Sequence, residues 1–367
     1  MRVVHLDTGR EMRGGQRQLL LLARKLRERG HEQLVVCREG SALELRLRED
    51  RLQVFALPRS DAGPGALFRL RQRVGREAFR ILHAHDGRSQ TLSALASIGL
   101  PVRRLVTRRV TFMPEGLGRS LGIHRLQYGP TCDAIIAVSG FIRDVLVKSG
   151  VRASKIEVIP DGVEIPATLP DAAFSTRARH SWDLDPAAFV IGHAGAFTRE
   201  KGQDVLLEAF VQFLNNTPQA RLLLVGEGPL RGSPEVSDLL RRAGGRVQVI
   251  DPVQDLTPFF AAIDLYVMPS RAEGLGSSAL LAMAHGLPVI ASRVGGLSEV
   301  VAEGETGWLV PPQSPAALAD ALEMAASSPE VLHRFGAAAR QRVDAFSGDT
   351  MVDRTEALYR RLLAWDG

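Results

Sequence analysis

Short apolar segments alternate with amphipathic helical segments along nearly the whole chain, and this alternation constrains the fold more than any other feature. The first series opens with a strand at 2–6 and closes with one at 156–159. A second series opens with a strand at 189–192 and closes with one at 288–291, before helical segments at the C-terminus. Strands that alternate with helices form parallel sheets with helices on both faces. The sequence therefore predicts an α/β protein with two doubly wound, Rossmann-like domains.

The segment between the two series differs from both in composition. Residues 166–186 contain three prolines and show little apolar periodicity, which is typical of a linker. We therefore place an N-terminal domain at 1–165 and a C-terminal domain at 187–349, with the last helix, 350–367, packed back on the first domain. Ligands of such sheets bind beyond the carboxyl ends of the strands, so we expect the two domains to face each other across a cleft.

Composition narrows the class of protein. The chain has 367 residues, of which 45% are hydrophobic, and no apolar run approaches the ~18 residues of a membrane span. The apolar N-terminal segment, 1–6, is too short for a signal-peptide core. Cys37 and Cys132 are far apart and lack CxxC spacing, so they indicate neither a disulfide framework nor a zinc site. These features predict a cytoplasmic location.

Charge is distributed unevenly along the chain. Residues 1–165 contain 29 Lys and Arg against 17 Asp and Glu, a net charge of +12, whereas the remaining residues carry −7. A basic half indicates an anionic partner. Nucleic acid is disfavoured because the basic residues are not interleaved with aromatics, which form 5% of the chain. An anionic membrane surface or a phosphorylated lipid is the better interpretation, and a solvated arginine-rich surface is the alternative.

One glycine-rich stretch has the clearest features of a binding site. It follows the apolar strand 264–268 and turns through Gly274-Leu275-Gly276 into a helix that begins with Ser277 and Ser278. Glycine lets a ligand approach the backbone, and the N–H groups of a helix start attract phosphate. Glu273 precedes the turn and can accept hydrogen bonds from hydroxyl groups, although it can also act only on the helix dipole. The stretch predicts a site for a ligand with phosphate and hydroxyl groups.

A second glycine loop, Gly195–Gly202, has matching features. It follows the strand 190–194 and carries Arg199 and Lys201 directly before the next helix. Lys201 is one of four lysines beside 42 arginines, and its position in the loop is more informative than its rarity. Cations between a glycine turn and a helix start predict a second anion site, which faces the first. A solvated loop lysine is the alternative.

In their order and spacing, these motifs resemble the retaining GT-B glycosyltransferases of glycosyltransferase family 4. The resemblance covers nearly the whole chain, and although each motif is weak alone, together they are specific. The motifs are Gly14-Gly15 with Leu19-Leu20, Arg29–Glu32, His83-Ala84-His85, Ala137–Ser139, Ile159–Val163, Gly195–Gly202, Gly226–Leu230, Pro269-Ser270 with Glu273–Gly276, and Gly295–Val301.

The resemblance implies transfer of a sugar from a nucleotide-sugar donor to an acceptor with retention of anomeric configuration, and with no obligatory metal ion or other cofactor. The family holds the donor mainly in the second domain and the acceptor in the first. Cations and helix starts would stabilise the charge of the leaving diphosphate, and Glu273 would hold hydroxyl groups of the donor sugar. The donor-binding residues implied in this way are Gly15, Gly195, Arg199, Lys201, Glu273, Gly274, Leu275, Gly276, Ser277 and Ser278.

Three positions depart from the family pattern. Leu281 stands where the family has a second acid, which binds the nucleotide ribose, and helical spacing places it on the same face as the two serines. Ala196 replaces a common arginine, so Arg199 is expected to reach the diphosphate instead. Arg109 replaces a histidine that contacts the donor sugar. An arginine can stabilise phosphate charge but cannot transfer a proton at neutral pH.

His85, at the end of another strand of the first domain, is a further candidate contact, with a satisfied buried histidine as the alternative. The predicted catalytic residues are therefore Glu273, Lys201, Arg109 and His85. We predict an active transferase with a variant donor pocket, peripheral on the inner face of the cytoplasmic membrane, that modifies a glycan, a lipid-linked or an envelope saccharide. The alternative is a catalytically inactive GT-B protein that binds a glycan or serves as a partner subunit.

Overall fold

The computed structural model describes residues 1–58, 63–111, 128–129 and 131–364. The sequence also predicts a helical stretch near 120–129, which lies almost wholly outside these residues. The chain divides into two compact units, Met1–Gly162 with Gly348–Gly367, and Val163–Ser347. Each unit is built on one parallel sheet, which confirms the predicted fold class.

The first unit contains seven strands and six described helices. The strands are β1 (Arg2–Leu6), β2 (Glu32–Arg38), β3 (Gln53–Leu57), β4 (Ile81–Ala84), β5 (Arg103–Arg108), β6 (Ala134–Ala137) and β7 (Ile156–Val158). The helices are α1 (Gly14–Glu28), α2 (Ala42–Glu49), α3 (Pro64–Arg76), α4 (Gly87–Ala96), α5 (Gly140–Lys148) and α14 (Gly348–Ala364). The strand order is β3-β2-β1-β4-β5-β6-β7.

Helices cover both faces of this sheet because successive side chains of a strand point to opposite faces. Val4 of β1 belongs to a buried cluster with Leu70 of α3. Its neighbour Val3 belongs to a cluster with Leu26 of α1 and Tyr359 of α14. The last helix of the chain is therefore part of the first unit's core.

The second unit contains six strands and eight helices. The strands are β8 (Val190–Ala194), β9 (Arg221–Val225), β10 (Val247–Ile250), β11 (Leu265–Met268), β12 (Val289–Ser292) and β13 (Gly307–Val310). The helices are α6 (Ala172–Ser181), α7 (Gln203–Phe213), α8 (Pro234–Arg242), α9 (Thr257–Ala262), α10 (Ser277–Ala284), α11 (Leu297–Val300), α12 (Pro315–Ala326) and α13 (Pro329–Arg342). The strand order is β10-β9-β8-β11-β12-β13.

The predicted linker requires correction. Residues 166–186 contain α6 and belong to the second unit, which begins at Val163. Asp171 caps this helix by accepting a hydrogen bond from the backbone N–H of Phe174 at 2.7 Å. Ala178 is the single buried residue of α6, so the helix has no apolar stripe for a sequence pattern to reveal.

None of the helices within the described residues has the length and apolar character needed to cross a bilayer.

Candidate functional site

Each sheet has a point at which the strand order reverses, and predicted site residues lie on the loops that leave it. The reversal falls between β1 and β4 in the first unit and between β8 and β11 in the second. Open α/β sheets bind ligands beyond the carboxyl ends of their strands at such points. His85 follows β4, whereas Gly195 follows β8 and Glu273 lies on the loop after β11.

Lys201 and Glu273 form a direct ion pair in the second unit. Lys201 Nζ lies 2.6 Å from Glu273 Oε2, and the two side chains are 28% and 14% exposed. Ser270 Oγ lies 3.4 Å from the same carboxylate oxygen. Each charge is therefore satisfied by the other while both remain within reach of a ligand. An ammonium group that donates hydrogen bonds, beside a carboxylate that accepts them, suits a ligand that carries both phosphate and hydroxyl groups.

Glycines allow the loops around this ion pair to approach one another. Gly202 has φ +71°, and a Cβ there would lie 2.2 Å from the carbonyl oxygen of Pro269. Gly295 has φ +52°, and a Cβ there would lie 1.8 Å from the carbonyl oxygen of Glu273. The loops that follow β8, β11 and β12 can meet only because these two positions lack side chains.

Gly276 starts the helix that follows Glu273. It has φ +104° and directly precedes α10. Ser277, Ser278 and Leu281 are half-buried on this helix, whereas the neighbouring positions 279 and 280 are fully buried. Leu281 therefore shares a face with both serines, in agreement with the helical spacing.

The remaining predicted donor-binding residues of the second unit lie in different environments. The Gly195 N–H donates to the carbonyl of Val225 at 2.9 Å, so this amide is not free for a ligand. Gly274 is buried, and Leu275 is 3% exposed, so Leu275 can offer a ligand only its backbone. Arg199 is exposed, and its guanidinium makes no hydrogen bond to the described part of the chain.

Arg271 and Asp204 form a bidentate ion pair that sequence reasoning missed. Arg271 Nη1 and Nη2 each lie 2.7 Å from a carboxylate oxygen of Asp204. The Asp204 side chain is 4% exposed. Burial raises the pKa of Asp204, but the hydrogen bonds from Arg271 outweigh it and lower this pKa below its ordinary value. The signal available from sequence was an arginine two positions before Glu273, which is weak alone.

Arg109 lies beside the start of α1 in the first unit. Its Nε lies 2.9 and 3.2 Å from the two carboxylate oxygens of Asp161, and the two side chains are 14% and 10% exposed. A Cβ on Gly15 would lie 3.9 Å from Arg109 Cδ. The guanidinium stem therefore passes the first turn of α1, where helix N–H groups lack intrahelical partners.

The contact with Arg109 fixes the tautomer of His85. Arg109 Nη1 lies 3.4 Å from His85 Nδ1, and because a guanidinium only donates, Nδ1 is the acceptor. The proton of His85 is then on Nε2, which lies 3.1 Å from His5 Nδ1. By the same reasoning His5 is protonated on Nε2.

Both histidines are neutral at physiological pH. Burial lowers the pKa of His5 to about 3, although the polar side chain of Gln33 opposes the shift. Burial, then the neighbouring His83 and Arg109, hold the pKa of His85 well below 6.5. Arg109, His85 and His5 are therefore linked by a series of hydrogen bonds, in which each histidine accepts at Nδ1.

His5, His83 and His85 are, among the described residues, the one group that could hold a metal ion, with ligand atoms within 4.8 Å of one another. Both ring nitrogens of His83 already make hydrogen bonds, at 2.6 and 2.7 Å. The cation of Arg109 lies beside His85 and would repel a metal ion. The geometry favours the hydrogen-bond chain over a metal centre.

The predicted residues thus fall into two groups, one in each unit. Lys201 and Glu273 meet in the second, and Arg109 and His85 meet beside Gly15 in the first. Two doubly wound parallel-sheet domains with ligand loops at their reversal points define the GT-B class of glycosyltransferase folds.

Comparison with known proteins identifies the family. The family described as Glycosyltransferase Family 4 matches residues 12–165, and Glycosyl transferases group 1 matches residues 188–328. A D-inositol 3-phosphate glycosyltransferase of Segniliparus rotundus is 30% identical over 320 residues, which are 80% of this chain and 69% of the relative. The chain belongs to glycosyltransferase family 4.

Other relatives match over shorter regions. The D-inositol 3-phosphate glycosyltransferase of Pseudarthrobacter chlorophenolicus is 35% identical over 237 residues, which are 62% of this chain and 55% of the relative. The chain spans about half the length of several relatives of this name, for example 55% and 49% of two Streptomyces proteins.

Solved structures share the fold at low sequence identity. HepE of Anabaena, crystallised with UDP and glucose, superposes with a TM-score of 0.87 at 21% identity, over 98% of this chain and 99% of that one. The sucrose-phosphate synthase of Thermosynechococcus elongatus superposes with a TM-score of 0.79 at 24% identity, over 99% of each chain.

Proposed function

We propose that this protein transfers a sugar from a nucleotide-sugar donor to a hydroxyl group of an acceptor, with retention of anomeric configuration. The observation that carries the proposal is the ion pair of Lys201 and Glu273, 2.6 Å apart at the reversal point of the second sheet. Membership of glycosyltransferase family 4 supports it, as do relatives named glycosyltransferases.

The residues around the ion pair suit the charge changes of such a transfer. The leaving nucleoside diphosphate gains negative charge as the glycosidic bond breaks. In the proposed complex, Lys201 exchanges Glu273 for a phosphate oxygen, and the N–H groups at the start of α10 stabilise the same anion. Glu273 is then free to accept hydrogen bonds from the sugar. Because the protein supplies this stabilisation itself, we propose a reaction without a metal ion or other cofactor.

In the first unit, we assign Arg109 to phosphate binding. Its Nε binds Asp161 and its Nη1 binds His85, whereas Nη2 makes no hydrogen bond to the described residues. His85 accepts from Arg109 and so orients it. Neither side chain transfers a proton in this proposal, because Arg109 stays charged and His85 has no free acceptor nitrogen.

The proposed acceptor carries a negative charge. A glycan, lipid-linked or envelope saccharide is our first candidate, because the first half of the chain is basic. A phosphorylated polyol is the second, because several relatives are named D-inositol 3-phosphate glycosyltransferases. A phosphate on either acceptor would suit Arg109.

A surface of the first unit supports attachment to an anionic membrane. Phe68 on α3 is 59% exposed, and after α4 Ile98 is 64% exposed. Arg71, one turn after Phe68, donates to the carbonyl of Ile98, so the two helices present these side chains together. We call the surface of Phe68, Arg71 and Ile98 the basic face; the same two helices also carry the exposed side chains of Arg69, Arg76, Arg88 and Leu95.

Within residues 63–100, the acidic side chains are few and already have partners. Described residues 63–100 contain two carboxylates. Glu77 pairs with Arg73 at 2.8 Å, and Asp86 caps α4. Exposed arginines beside exposed apolar side chains suit the anionic cytoplasmic leaflet of a membrane. We propose that the protein acts there, on the cytoplasmic side.

Donor binding tests the proposal. A calorimetric panel of UDP, GDP, ADP, CDP and dTDP and their glucose derivatives is expected to contain at least one ligand that binds. Lys201→Ala should weaken binding of that nucleotide about tenfold or more, because it loses a charge-assisted hydrogen bond.

Lys148→Ala is the matched control, since Lys148 is exposed on α5. We expect it to bind like the wild type. If no nucleotide binds at millimolar concentration, the transferase assignment fails and the inactive GT-B alternative is supported. Equal effects of the two substitutions would remove Lys201 from the site.

A further inference from the structure

Besides the ion pair of Lys201 and Glu273, Arg271 also joins the loop that carries Lys201 to the loop that carries Glu273. Its backbone N–H donates to the carbonyl of Glu200 at 2.7 Å. Its Nη1 donates to the carbonyl of Arg199 at 2.9 Å and to Asp204. Arg271 thus binds the two residues that precede Lys201 and, three residues after Lys201, the side chain of Asp204.

Asp204 is suited to hold this arginine in place. It lies in the first turn of α7, where a negative charge is favoured by the helix dipole. The fork of the guanidinium matches both carboxylate oxygens, at 2.7 Å each. A buried bidentate pair of this kind fixes orientation as well as distance.

We infer that Arg271 and Asp204 are positioning residues that set the separation of Lys201 from Glu273. Arg271 is two residues from Glu273, and Asp204 is three residues from Lys201. Moving either loop would separate Lys201 Nζ from Glu273 Oε2, which are 2.6 Å apart. The role of this ion pair in binding the nucleotide-sugar donor rests on the proposed function. The separation of Lys201 from Glu273 does not depend on that function.

The chain offers a direct way to measure this separation without a ligand. It contains four lysines, Lys25, Lys148, Lys155 and Lys201. Acetylation of each by a water-soluble acylating reagent can be followed by mass spectrometry of its peptide. An ammonium held by a carboxylate reacts more slowly than a free one, because only the neutral amine is nucleophilic. Glu273→Gln removes the partner and sets the rate expected for released Lys201.

We expect Arg271→Gln and Asp204→Asn each to raise the acetylation rate of Lys201 about fivefold, toward the rate in Glu273→Gln. The rates of Lys25, Lys148 and Lys155, all in the first unit, should not change. Their constancy, with an unchanged circular dichroism spectrum, excludes general unfolding. Arg271→Lys should restore the wild-type rate only in part, since a lysine lacks the fork.

Arg293→Gln is the matched control in the same unit, because Arg293 pairs with Glu303 at 2.6 Å on the surface. This substitution should leave the acetylation rate of Lys201 unchanged. Wild-type labelling of Lys201 in both Arg271→Gln and Asp204→Asn would overturn the inference. So would wild-type labelling in Glu273→Gln, because the ion pair would then not protect Lys201.

A second measurement separates positioning from stability alone. With UDP as the titrant, Lys201→Ala should weaken binding less in an Arg271→Gln background than in the wild type, because Lys201 is already displaced there. Equal losses in the two backgrounds would contradict positioning. If UDP and the other nucleotides fail to bind the wild type, the proposed function fails, and the acetylation rates still decide the inference.

Discussion

Gly295 packs against the backbone of Glu273, so a substitution at Gly295 tests whether the position of the Glu273 carboxylate matters. Its φ of +52° disfavours any side chain, and a Cβ would overlap the carbonyl oxygen of Glu273. We predict that Gly295→Ala reduces turnover of the nucleotide sugar identified by the binding panel about 100-fold, because a displacement of about 1 Å suffices for such a loss. Steady-state kinetics measures this effect.

Gly304 provides the control for backbone strain. It has φ +73°, but a Cβ there would meet no atom within 4 Å. Both Gly304→Ala and Gly295→Ala should lower the free energy of unfolding by about 1 kcal/mol or more, measured with urea. Only Gly295→Ala should lose turnover. A similar loss in both variants would show that strain, and not contact with Glu273, is responsible.

Leu281 is the second residue whose role can be tested by substitution. It is half-buried on the face of α10 that carries Ser277 and Ser278, so a longer polar side chain fits without entering the core. We predict that Leu281→Glu raises the affinity for UDP relative to 2′-deoxy-UDP about tenfold, because a carboxylate would accept hydrogen bonds from ribose hydroxyls. Leu281→Met should keep the wild-type ratio, and an unchanged ratio in Leu281→Glu would place the ribose elsewhere.

Among the elements, long apolar strands and helices with a wide apolar stripe were predictable from sequence. The predicted strand 2–6 agrees with β1 at both ends, and the predicted last helix, 350–367, corresponds to α14. Three elements have sequence patterns too weak to predict them. Helix α6 has a single buried residue and therefore no apolar stripe. Helix α2 has eight residues, with charged residues between its leucines, and strand β13 has only four residues. Short elements are stabilised by tertiary packing, which a local pattern does not contain.

The contact of α14 with α1 predicts a loss of stability in acid. Lys25 and Arg29 bind Asp349 and lower its pKa. Burial raises the pKa of Glu356, but hydrogen bonds from His31 and Arg29 outweigh it, so the net shift is downward from 4.5. A lowered pKa means that the unfolded chain binds protons first as the pH falls. The stabilisation is therefore complete above about pH 4.5 and is lost below it.

Glu356→Gln should reduce this pH dependence. We expect the melting temperature of the variant to fall less than that of the wild type between pH 5.5 and pH 3.5 (both pH values being about one unit from 4.5). Glu28→Gln is the control, since Glu28 is exposed on α1, and it should follow the wild type. Identical curves for all three proteins would show that Glu356 does not contribute to acid unfolding.

In the whole molecule, the site could be predicted only as far as local motifs extend. Glu273, Lys201 and the glycine turns lie in recognisable strand–loop–helix segments. Asp204 meets Arg271 across 67 residues of sequence, and Asp161 meets Arg109 across 52. Such partners are chosen by the fold, because parallel strands distant in sequence end at the same edge of a sheet. A sequence shows the charge but not its counter-ion.

The uneven charge of the whole chain leads to a prediction about membranes. We expect the protein to sediment with vesicles of phosphatidylglycerol but not of phosphatidylcholine, and sedimentation to decrease as salt screens the arginines. Phe68→Ser combined with Ile98→Ser should weaken the partition coefficient about tenfold, because two exposed apolar side chains no longer enter the bilayer interface.

Leu45→Ser is the control for this measurement, since Leu45 is 59% exposed on α2, outside the basic face. It should bind vesicles like the wild type, and the change in Phe68→Ser/Ile98→Ser should appear without a change in melting temperature. Equal losses in the control and in the double variant would mean that apolar exposure in general, and not the basic face, attaches the protein. Salt-dependent binding to duplex DNA, with no binding to either vesicle, would identify the anionic partner as nucleic acid and contradict the membrane proposal.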